Sequence, residues 1–223
     1  TAKGVYSEDI LPAFNLDLKV VDAMFKYPDL PKAVTNIQIN TTVSNTGGST
    51  DNTVVDVNKF HLEMGGNPVD ISLLLKNPDS DPDVDCRIKA DINLAGIKDF
   101  IPLEEGESYN GMLNSDISLK GKVSTLDNED YAAFDASGSL KLSNMNYQSK
   151  EMSYAVDIKE MALNFTPQYV ELVTFSSKVG KSDISAHGKF DNVLGYALND
   201  ELIKGEFNLT SDLMDLNEFM EED

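Results

Sequence analysis

Two histidines and one cysteine are the residues of this chain that most readily serve catalysis or metal binding. His61 lies between Phe60 and Leu62, so alternation places its side chain on the polar side of a predicted strand. His187 ends the segment "SDISAH" (182–187), which contains a serine, an aspartate and a histidine. Because side chains along one extended strand cannot converge as a catalytic triad, we predict that both histidines are solvent-exposed strand residues. One cysteine and two histidines are also too few for a Cys/His metal cluster.

An acidic segment, "DSDPDVD" from Asp79 to Asp85, spaces its carboxylates at alternate positions and resembles a calcium-binding loop. A calcium loop of the EF-hand type needs a central glycine and a distal glutamate, and neither is in place here. Pro82 stiffens the segment instead. We therefore predict a solvated hairpin loop, and weak calcium binding stays open as the alternative.

Known catalytic motifs are absent from the sequence. There is no GxGxxG, P-loop, GxSxG or HExxH pattern. Carboxylates are abundant, but 38 acidic residues make their proximity uninformative. The sequence therefore predicts a protein that is not an enzyme and that needs no cofactor, with a hydrolase as the enzymatic alternative.

The charge balance is strongly acidic, with a formal net charge of -20 over 223 residues. Phosphate contacts need clustered Lys and Arg, so this charge argues against nucleic acid and against adsorption to an anionic membrane surface. No apolar run approaches the ~18 residues of a membrane span, and no signal peptide is visible. Because the chain begins at Thr1 rather than Met, we interpret it as a piece of a longer or processed protein.

Apolar and polar residues alternate with a period of two through most of the chain. In "IKADINL" (88–94), Ile88, Ala90, Ile92 and Leu94 share one side of the predicted strand. Such segments, separated by Gly-, Asn- and Pro-rich turns, predict roughly ten or more antiparallel strands with one wet face. The other segments with this pattern are 16–20, 37–43, 60–64, 71–75, 113–123, 136–142 and 184–190.

Few helices are predicted. Ser124 to Phe134 begins with the capping residues Ser124 and Asp127, and about two turns of helix can close each of the segments 94–103 and 209–221. The predicted fold class is therefore all-β and mainly antiparallel, with two or three short helices.

Several sequence phrases occur twice in the same order. "IKADINL" returns as "IKGEFNL" (203–209), and "FHLEMGGNPVDIS" (60–72) resembles "FSSKVGKSDIS" (175–185). We predict one elongated domain over residues 1–223, with repeat units at about 24–101 and 145–220 joined by a two-strand stretch at 108–143.

A sheet with one apolar face must cover that face, and this chain has too little helix to do so. The sheet can close on itself as a β-sandwich, or it can curl into a long open trough whose apolar floor something else covers. A duplicated unit that contacts mainly its neighbours favours the elongated, curved trough. The residues predicted to line it are Ile88, Ile92, Leu94, Ile117, Leu119, Leu140, Leu142, Ile184, Phe207 and Leu209.

Three stretches carry a family resemblance. They are "IKADINLAGIKDFIPLEEGESYNGMLNSDISLKGKVS" (88–124), "ASGSLKLSNMNY" (136–147) and "GKSDISAHGKFDN" (180–192). Together they resemble the AsmA-like C-terminal region of Gram-negative envelope proteins, in the form found in Bacteroides-type members. The resemblance covers most of the chain, from about residue 16 to the end.

The resemblance implies a function that the residues alone do not show. Members of the family are related to TamB and to bridge-like lipid-transfer proteins. They are anchored in the inner membrane by one N-terminal helix and extend a periplasmic β-trough that carries phospholipid. We therefore expect a periplasmic conduit for phospholipid between the two membranes, with acyl chains as its partners and a role in outer-membrane biogenesis. The family offers no catalytic residues to transfer.

The rival interpretation is an interaction module. In it, a closed β-sandwich of an exported or surface protein binds a protein or a glycan through its loops. The two interpretations differ in whether both faces of the sheet are covered by the protein itself.

Overall fold

The strands form a single meandering sheet in which every neighbouring pair is antiparallel and the spatial order equals the chain order. The computed structural model describes residues 2–3, 11–128, 130, 133–193, 196 and 202–219. A two-residue strand precedes eleven longer ones within this part of the chain. The strands are β1 (Ala2–Lys3), β2 (Ala13–Phe25), β3 (Val34–Asn45), β4 (Thr53–Met64), β5 (Asn67–Lys76), β6 (Asp83–Asn93), β7 (Ser108–Lys122), β8 (Asp135–Gln148), β9 (Val156–Phe165), β10 (Tyr169–Val179), β11 (Ser182–Asp191) and β12 (Lys204–Thr210).

Helical structure in the described residues is short. It includes α1 (Val123–Asp127) and the 3₁₀ helices η1 (Thr50–Asn52), η2 (Leu94–Asp99) and η3 (Leu216–Phe219), and residues 193 and 196 are also helical. None of these is long and apolar enough to span a membrane. The all-β prediction with few short helices is therefore confirmed.

The helix boundaries differ from the predicted ones. The helix predicted to start at Ser124 starts at Val123, and its N-cap residue Lys122 makes no side-chain capping bond. The predicted helix at 209–221 begins instead as strand, because pairing with β11 continues to Thr210, and η3 follows only at Leu216. Residues 129, 131, 132, 220 and 221 of the two predicted helices lie outside the described residues.

The register of the strands collects apolar side chains from distant parts of the chain onto one face, which we call the apolar face. Directly opposed residues in neighbouring strands point to the same side of a sheet. One row of opposed residues crosses seven strands and is apolar throughout. Its members are Ile92, Leu113, Leu142, Met161, Phe175, Ala186 and Leu209.

The other face, which we call the polar face, is mainly hydrophilic. A row of opposed residues there crosses ten strands without an apolar member. The row consists of Gln38, His61, Asp70, Lys89, Asp116, Ser139, Asn164, Glu171, Lys189 and Glu206. The two-sided character predicted from the period of two therefore extends over the whole sheet.

The sheet stays open. Extensive contacts between described strands join only strands that are neighbours in the chain, so no second layer packs on the apolar face. The chain exposes 13970 Å² of surface, whereas a compact monomer of 24.5 kDa exposes about 10,000 Å². The closed β-sandwich considered as an alternative is therefore wrong for this chain.

Bulges bend the sheet. Asp22, Asn36 and Asn144 have positive φ angles of 51°, 50° and 50°. Each lies beside a shift in the pairing register of its strand. An extra residue in one strand of an antiparallel pair bends that strand and increases its twist. These positions therefore favour a curved sheet over a flat one.

The architecture is repeat-like. Five strands that end in a 3₁₀ helix (β2–β6 and η2, with η1 between β3 and β4) are followed by β7 and α1. Five strands that end in a 3₁₀ helix then follow again (β8–β12 and η3). In the first set Phe100, just after η2, lies against Gly65 in the β4–β5 turn. In the second set Glu218 of η3 lies against Gly180 in the matching β10–β11 turn. The residue boundaries of the two predicted units stay a prediction.

Candidate functional site: the apolar face of the sheet

Nine of the ten predicted lining residues lie on the apolar face. Ile88 pairs directly with Ile117. Ile92, Leu142 and Leu209 belong to the apolar row described above. The remaining positions place Leu119 opposite Cys86 and Ala136, Leu140 opposite Leu163, Ile184 opposite Ser177, and Phe207 opposite Gly188. The tenth residue, Leu94, opens η2 rather than continuing the strand.

Burial on this face falls from the centre of the sheet towards its edges. Ile117 and Leu142, in the central strands, are each 8% exposed, whereas Leu16 of β2 and Leu209 of β12 are 61% and 57% exposed. Without a covering layer, the central side chains are buried by lateral packing against neighbours on the same face. The edge strands lack such neighbours on one side, so their aliphatic side chains face water.

The face is wider than the predicted set of residues. Leu163, Leu172 and Phe175 extend it through β9 and β10. Leu16 and Leu18 extend it to β2, where they oppose Val43 and Thr41. The alternation at residues 16–20 predicts strand β2. The sequence alone does not show which side of β2 lies on the same face of the sheet as the apolar side of β6.

Two aromatic residues cover the margins of the face locally. Phe134, which is 2% exposed, lies over Gly121 near the end of β7. Phe100, which is 5% exposed, fills the space beside Gly65 at the opposite margin. Both contacts lie at strand ends, so the rows between them remain uncovered.

A tyrosine pair marks one end of the face. Tyr109 and Tyr147 are opposed across β7 and β8, and their rings stack with centroids 4.9 Å apart. Their hydroxyls donate to the same carboxylate oxygen of Glu107, at 3.3 and 3.0 Å. A hydrogen bond from the backbone of Glu104 and one from Tyr147 lower the pKa of Glu107. Desolvation and the Glu107 charge raise the pKa of Tyr109 to about 12, so the Tyr109 hydroxyl is a neutral donor near neutral pH.

His61 differs from its prediction. It lies on the polar face as expected, but its side chain is only 14% exposed. Its Nδ1 lies 2.7 Å from Asp70 Oδ1, and its Nε2 lies 3.1 Å from Asn36 Nδ2. Asn36 also donates to Glu63 at 2.9 Å. The bulge at Asn36 brings that amide to the ring nitrogen Nε2, so the prediction of a solvent-exposed His61 is wrong.

The Ser–Asp–His segment does not converge into a triad. The Ser182 hydroxyl donates to Glu218 Oε2 at 2.7 Å, and the Asp183 carboxylate accepts from the backbone N–H groups of Asp212 and Leu213. His187 is exposed on the polar face opposite Asn208. The exposed position predicted for His187 is confirmed, and the three side chains have separate partners.

Two carboxylates of the acidic segment, Asp81 and Asp85, bind groups within the protein. Asp81 accepts from the backbone N–H of Ser124 at 3.2 Å and lies 3.2 Å from Lys122 Nζ. Asp85 lies 2.7 Å from Lys120 Nζ. Over the ranges that the structure describes, no three His, Cys, Asp or Glu side chains are grouped so as to hold a metal ion.

Cys86 packs within the apolar face. It opposes Leu73 on one side and Leu119 on the other. Desolvation raises the pKa of its thiol, with a further contribution from the nearby Asp85 charge. Because the thiolate is the reactive form, this cysteine is a small apolar side chain here rather than a nucleophile.

Two carboxylates fasten the C-terminal segment to the β10–β11 turn. Glu218 accepts from the backbone N–H groups of Lys181 and Ser182 and from the Ser182 hydroxyl, and Asp183 accepts from two backbone N–H groups of the segment. These hydrogen bonds lower the pKa of Glu218 below its ordinary value of 4.5, with the largest contribution from Lys181. They lower the pKa of Asp183 below its ordinary value of 3.8, with the largest contribution from Asp212. We call these contacts the acid clamp.

The acid clamp is expected to open on acidification. A carboxyl group whose pKa is lower in the folded state stabilises that state above its unfolded pKa and loses this effect as the pH falls through its folded pKa. We therefore expect the amide groups of residues 212 and 213 to lose protection below the ordinary pKa values of 3.8 and 4.5. Hydrogen exchange, corrected for intrinsic rates, measures this loss.

Glu218→Gln provides the control for the acid clamp. It keeps the shape of Glu218 but removes its charge, so the contribution of Glu218 should be missing at every pH. Protection that persists unchanged in acid, or that Glu218→Gln leaves unaltered, would show that apolar packing rather than the two carboxylates holds the segment.

The apolar face is thus an extended surface for apolar contact, without a nucleophile, an acid–base pair or a metal cluster among the described residues that face it. In comparisons with protein-family models, curated proteins and solved structures, none matches this chain.

Proposed function

We propose that the apolar face binds the acyl chains of phospholipids and that the protein is a passive, non-enzymatic lipid carrier or conduit. The observation that supports this most directly is the unbroken apolar row from Ile92 to Leu209 on a sheet face that no second layer covers. Soluble monomers rarely leave so large an apolar surface in contact with water. A guest with flexible hydrocarbon chains would remove that surface from water without needing a fixed shape.

The binding mechanism follows from the two faces. Acyl chains lie along the aliphatic rows, where each buried CH₂ group contributes ~0.8 kcal/mol. Headgroups remain in water at the margins of the face. The binding energy per methylene is similar along the rows, so a lipid can move along the face without crossing a large barrier.

The biological setting is proposed from the family resemblance together with the charge. An AsmA-like protein would hold this sheet in the periplasm, anchored in the inner membrane through a segment beyond it, and would serve outer-membrane biogenesis. The net charge of -20 and the hydrophilic polar face would keep the sheet from adhering along its length to anionic membranes.

Native mass spectrometry tests lipid binding directly. The chain, purified from a Gram-negative host, is expected to carry additional mass in steps that match phospholipids, and solvent extraction should recover those lipids. A chain that is lipid-free after purification, and that also takes up no fluorescent phosphatidylethanolamine from vesicles, would contradict the proposal.

A further inference from the structure

Within the described residues, β12 ends the sheet, and no further strand pairs with its outer edge. All seven residues of the strand are exposed, and its register with β11 runs from Lys204 to Thr210 without a bulge. No proline interrupts the described segment 202–219. Proteins normally protect such edges by short strands, charged side chains, bulges, proline or a covering element. Of these features, the described part of β12 has only its short length and the charged side chains of Lys204 and Glu206.

Apolar side chains cluster at this edge. Phe207 and Leu209 are 44% and 57% exposed on the strand itself, and Leu202 just before it is 83% exposed. Unpaired backbone groups and exposed aliphatic side chains together form a surface that gains stability when another strand pairs with it.

Strand direction restricts which strand of a second copy can pair. Because β2 to β12 are eleven strands and each is antiparallel to the next, β2 and β12 run in the same direction. A head-to-tail contact between β12 and the β2 of a second copy, with apolar faces aligned, would therefore be parallel. Beyond β2 lies only the two-residue β1, which pairs with residues 13 and 14. A twofold axis normal to the sheet instead makes two β12 strands antiparallel and keeps both apolar faces on the same side.

The charges of β12 select one register for this twofold contact. When Gly205 opposes its own symmetry copy, Lys204 opposes Glu206 of the second copy, and this pair occurs twice. The same register opposes Ile203 to Phe207, so apolar residues also meet. If Phe207 were the central residue, Lys204 would face Thr210 and Glu206 would face Asn208, and both charge pairs would be lost.

The local packing agrees with the Gly205-centred register. The Phe207 ring lies over Gly205, and it meets the Phe190 ring edge-on at a centroid distance of 4.8 Å. Glycine at the centre lets two backbones approach closely, and an aromatic ring over it supplies the packing that glycine lacks. The twofold axis would thus bring two such ring pairs together on the apolar face.

We infer that β12 is a homodimerisation edge, through which two copies join antiparallel about Gly205 into one continuous sheet. This contact shares Phe207 with the apolar face, but the backbone edge and the Lys204–Glu206 pairs that select its register lie outside that face. Pairing along a single short strand buries less than a standard interface, so the dimer should be weak and concentration-dependent.

A charge-swap series tests the register. In sedimentation equilibrium, the intact chain should shift towards twice the monomer mass as its concentration rises. Lys204→Glu and Glu206→Lys each place like charges opposite one another twice, and each should weaken the dimer by about tenfold. The double variant Lys204→Glu/Glu206→Lys restores both opposite-charge pairs and should recover the dimer.

Net charge provides an internal control. Lys204→Glu makes the chain more acidic and Glu206→Lys makes it less acidic, so a general repulsion effect would move the two variants in opposite directions. Circular dichroism confirms that each variant is folded. A chain that stays monomeric at all concentrations, or single variants that fail to weaken the dimer, would overturn the inference.

Discussion

Replacing Leu16 and Leu18 by aspartate is expected to weaken phospholipid binding by about 100-fold, because a charge covered by acyl chains loses its hydration without gaining a partner. Both residues lie on the apolar face at the β2 edge, where they are 61% and 48% exposed. Their exposure means that the substitution should leave the fold intact. Transfer of fluorescent phosphatidylethanolamine from vesicles measures the change.

Val21→Asp is the matched control for this variant. Val21 lies on the same strand and is 70% exposed, but alternation places it on the polar face. The control therefore removes an exposed aliphatic side chain and adds a charge without touching the apolar face, and its lipid binding should equal that of the unaltered chain. Equal losses in Val21→Asp and Leu16→Asp/Leu18→Asp would contradict a binding site confined to one face.

Residues in the central strands are less suitable for this substitution than the edge leucines. Ile92 and Leu119 are half-buried between neighbouring strands, so an aspartate at either position removes packing within the sheet as well as a lipid contact. Loss of lipid in such a variant would not separate unfolding from a damaged site. The edge leucines avoid this difficulty because few protein atoms surround them.

Gly138→Ala is expected to destabilise the sheet by about 4 kcal/mol, because alanine fits neither the backbone angle nor the space. Gly138 has a φ of 117°. An added Cβ would overlap the carbonyl oxygen of Asp116 and lie 2.8 Å from the Cα of Ile117 in the paired strand. These neighbours are backbone atoms of a central strand, so they cannot move aside cheaply. Urea unfolding followed by circular dichroism gives the free-energy change.

Two other glycines separate the clash from the backbone strain. Gly66 has a φ of 84° with no atom within 4 Å of an added Cβ, so Gly66→Ala should cost only about 1 kcal/mol of backbone strain. Gly96 in η2 has open space and no such φ, so Gly96→Ala should change stability by less than about 0.5 kcal/mol. A Gly138→Ala effect no larger than that of Gly66→Ala would show that β7 and β8 pair loosely at this position.

Strand identity and side-chain direction were predictable because they are local. In β6, Ile88 and Ile92 alternate with Lys89 and Asp91, and this period of two suffices to assign one apolar and one polar side. The prediction for β7 and β8 succeeds for the same reason. Helix ends were predicted less well, because pairing with β11 decides that residues 204–210 remain strand.

Register was not predictable from the repeated phrases. In the first copy, Ile88 is the first residue of "IKADINL" and pairs with Ile71 of β5. In the second copy, "IKGEFNL" pairs with β11 so that Gly205 opposes Phe190 and Leu209 opposes Ala186. The second phrase has therefore slid along its neighbour relative to the first. The connection at 192–203 is longer than that at 77–82, and loop length limits how far a strand can slide.

The burial of His61 was missed for a related reason. Its position on the polar face follows from alternation, but its partners come from β3 and β5. The bulge at Asn36 that carries the amide to the ring is a feature of the paired strands. Asn adopts positive φ more readily than most residues, so it is compatible with such a bulge, but the residue type alone does not predict one.

By itself, the sequence determined that this protein is a succession of two-sided strands with one apolar and one hydrophilic side, because the direction of a side chain depends only on its parity along a strand. Only the tertiary structure decided that the strands form one open sheet rather than two packed ones, that the apolar sides join into unbroken rows, and that an odd number of long strands leaves both edges running the same way. These properties depend on pairing between residues far apart in the chain and on the absence of a covering layer over the described strands, which no local pattern encodes.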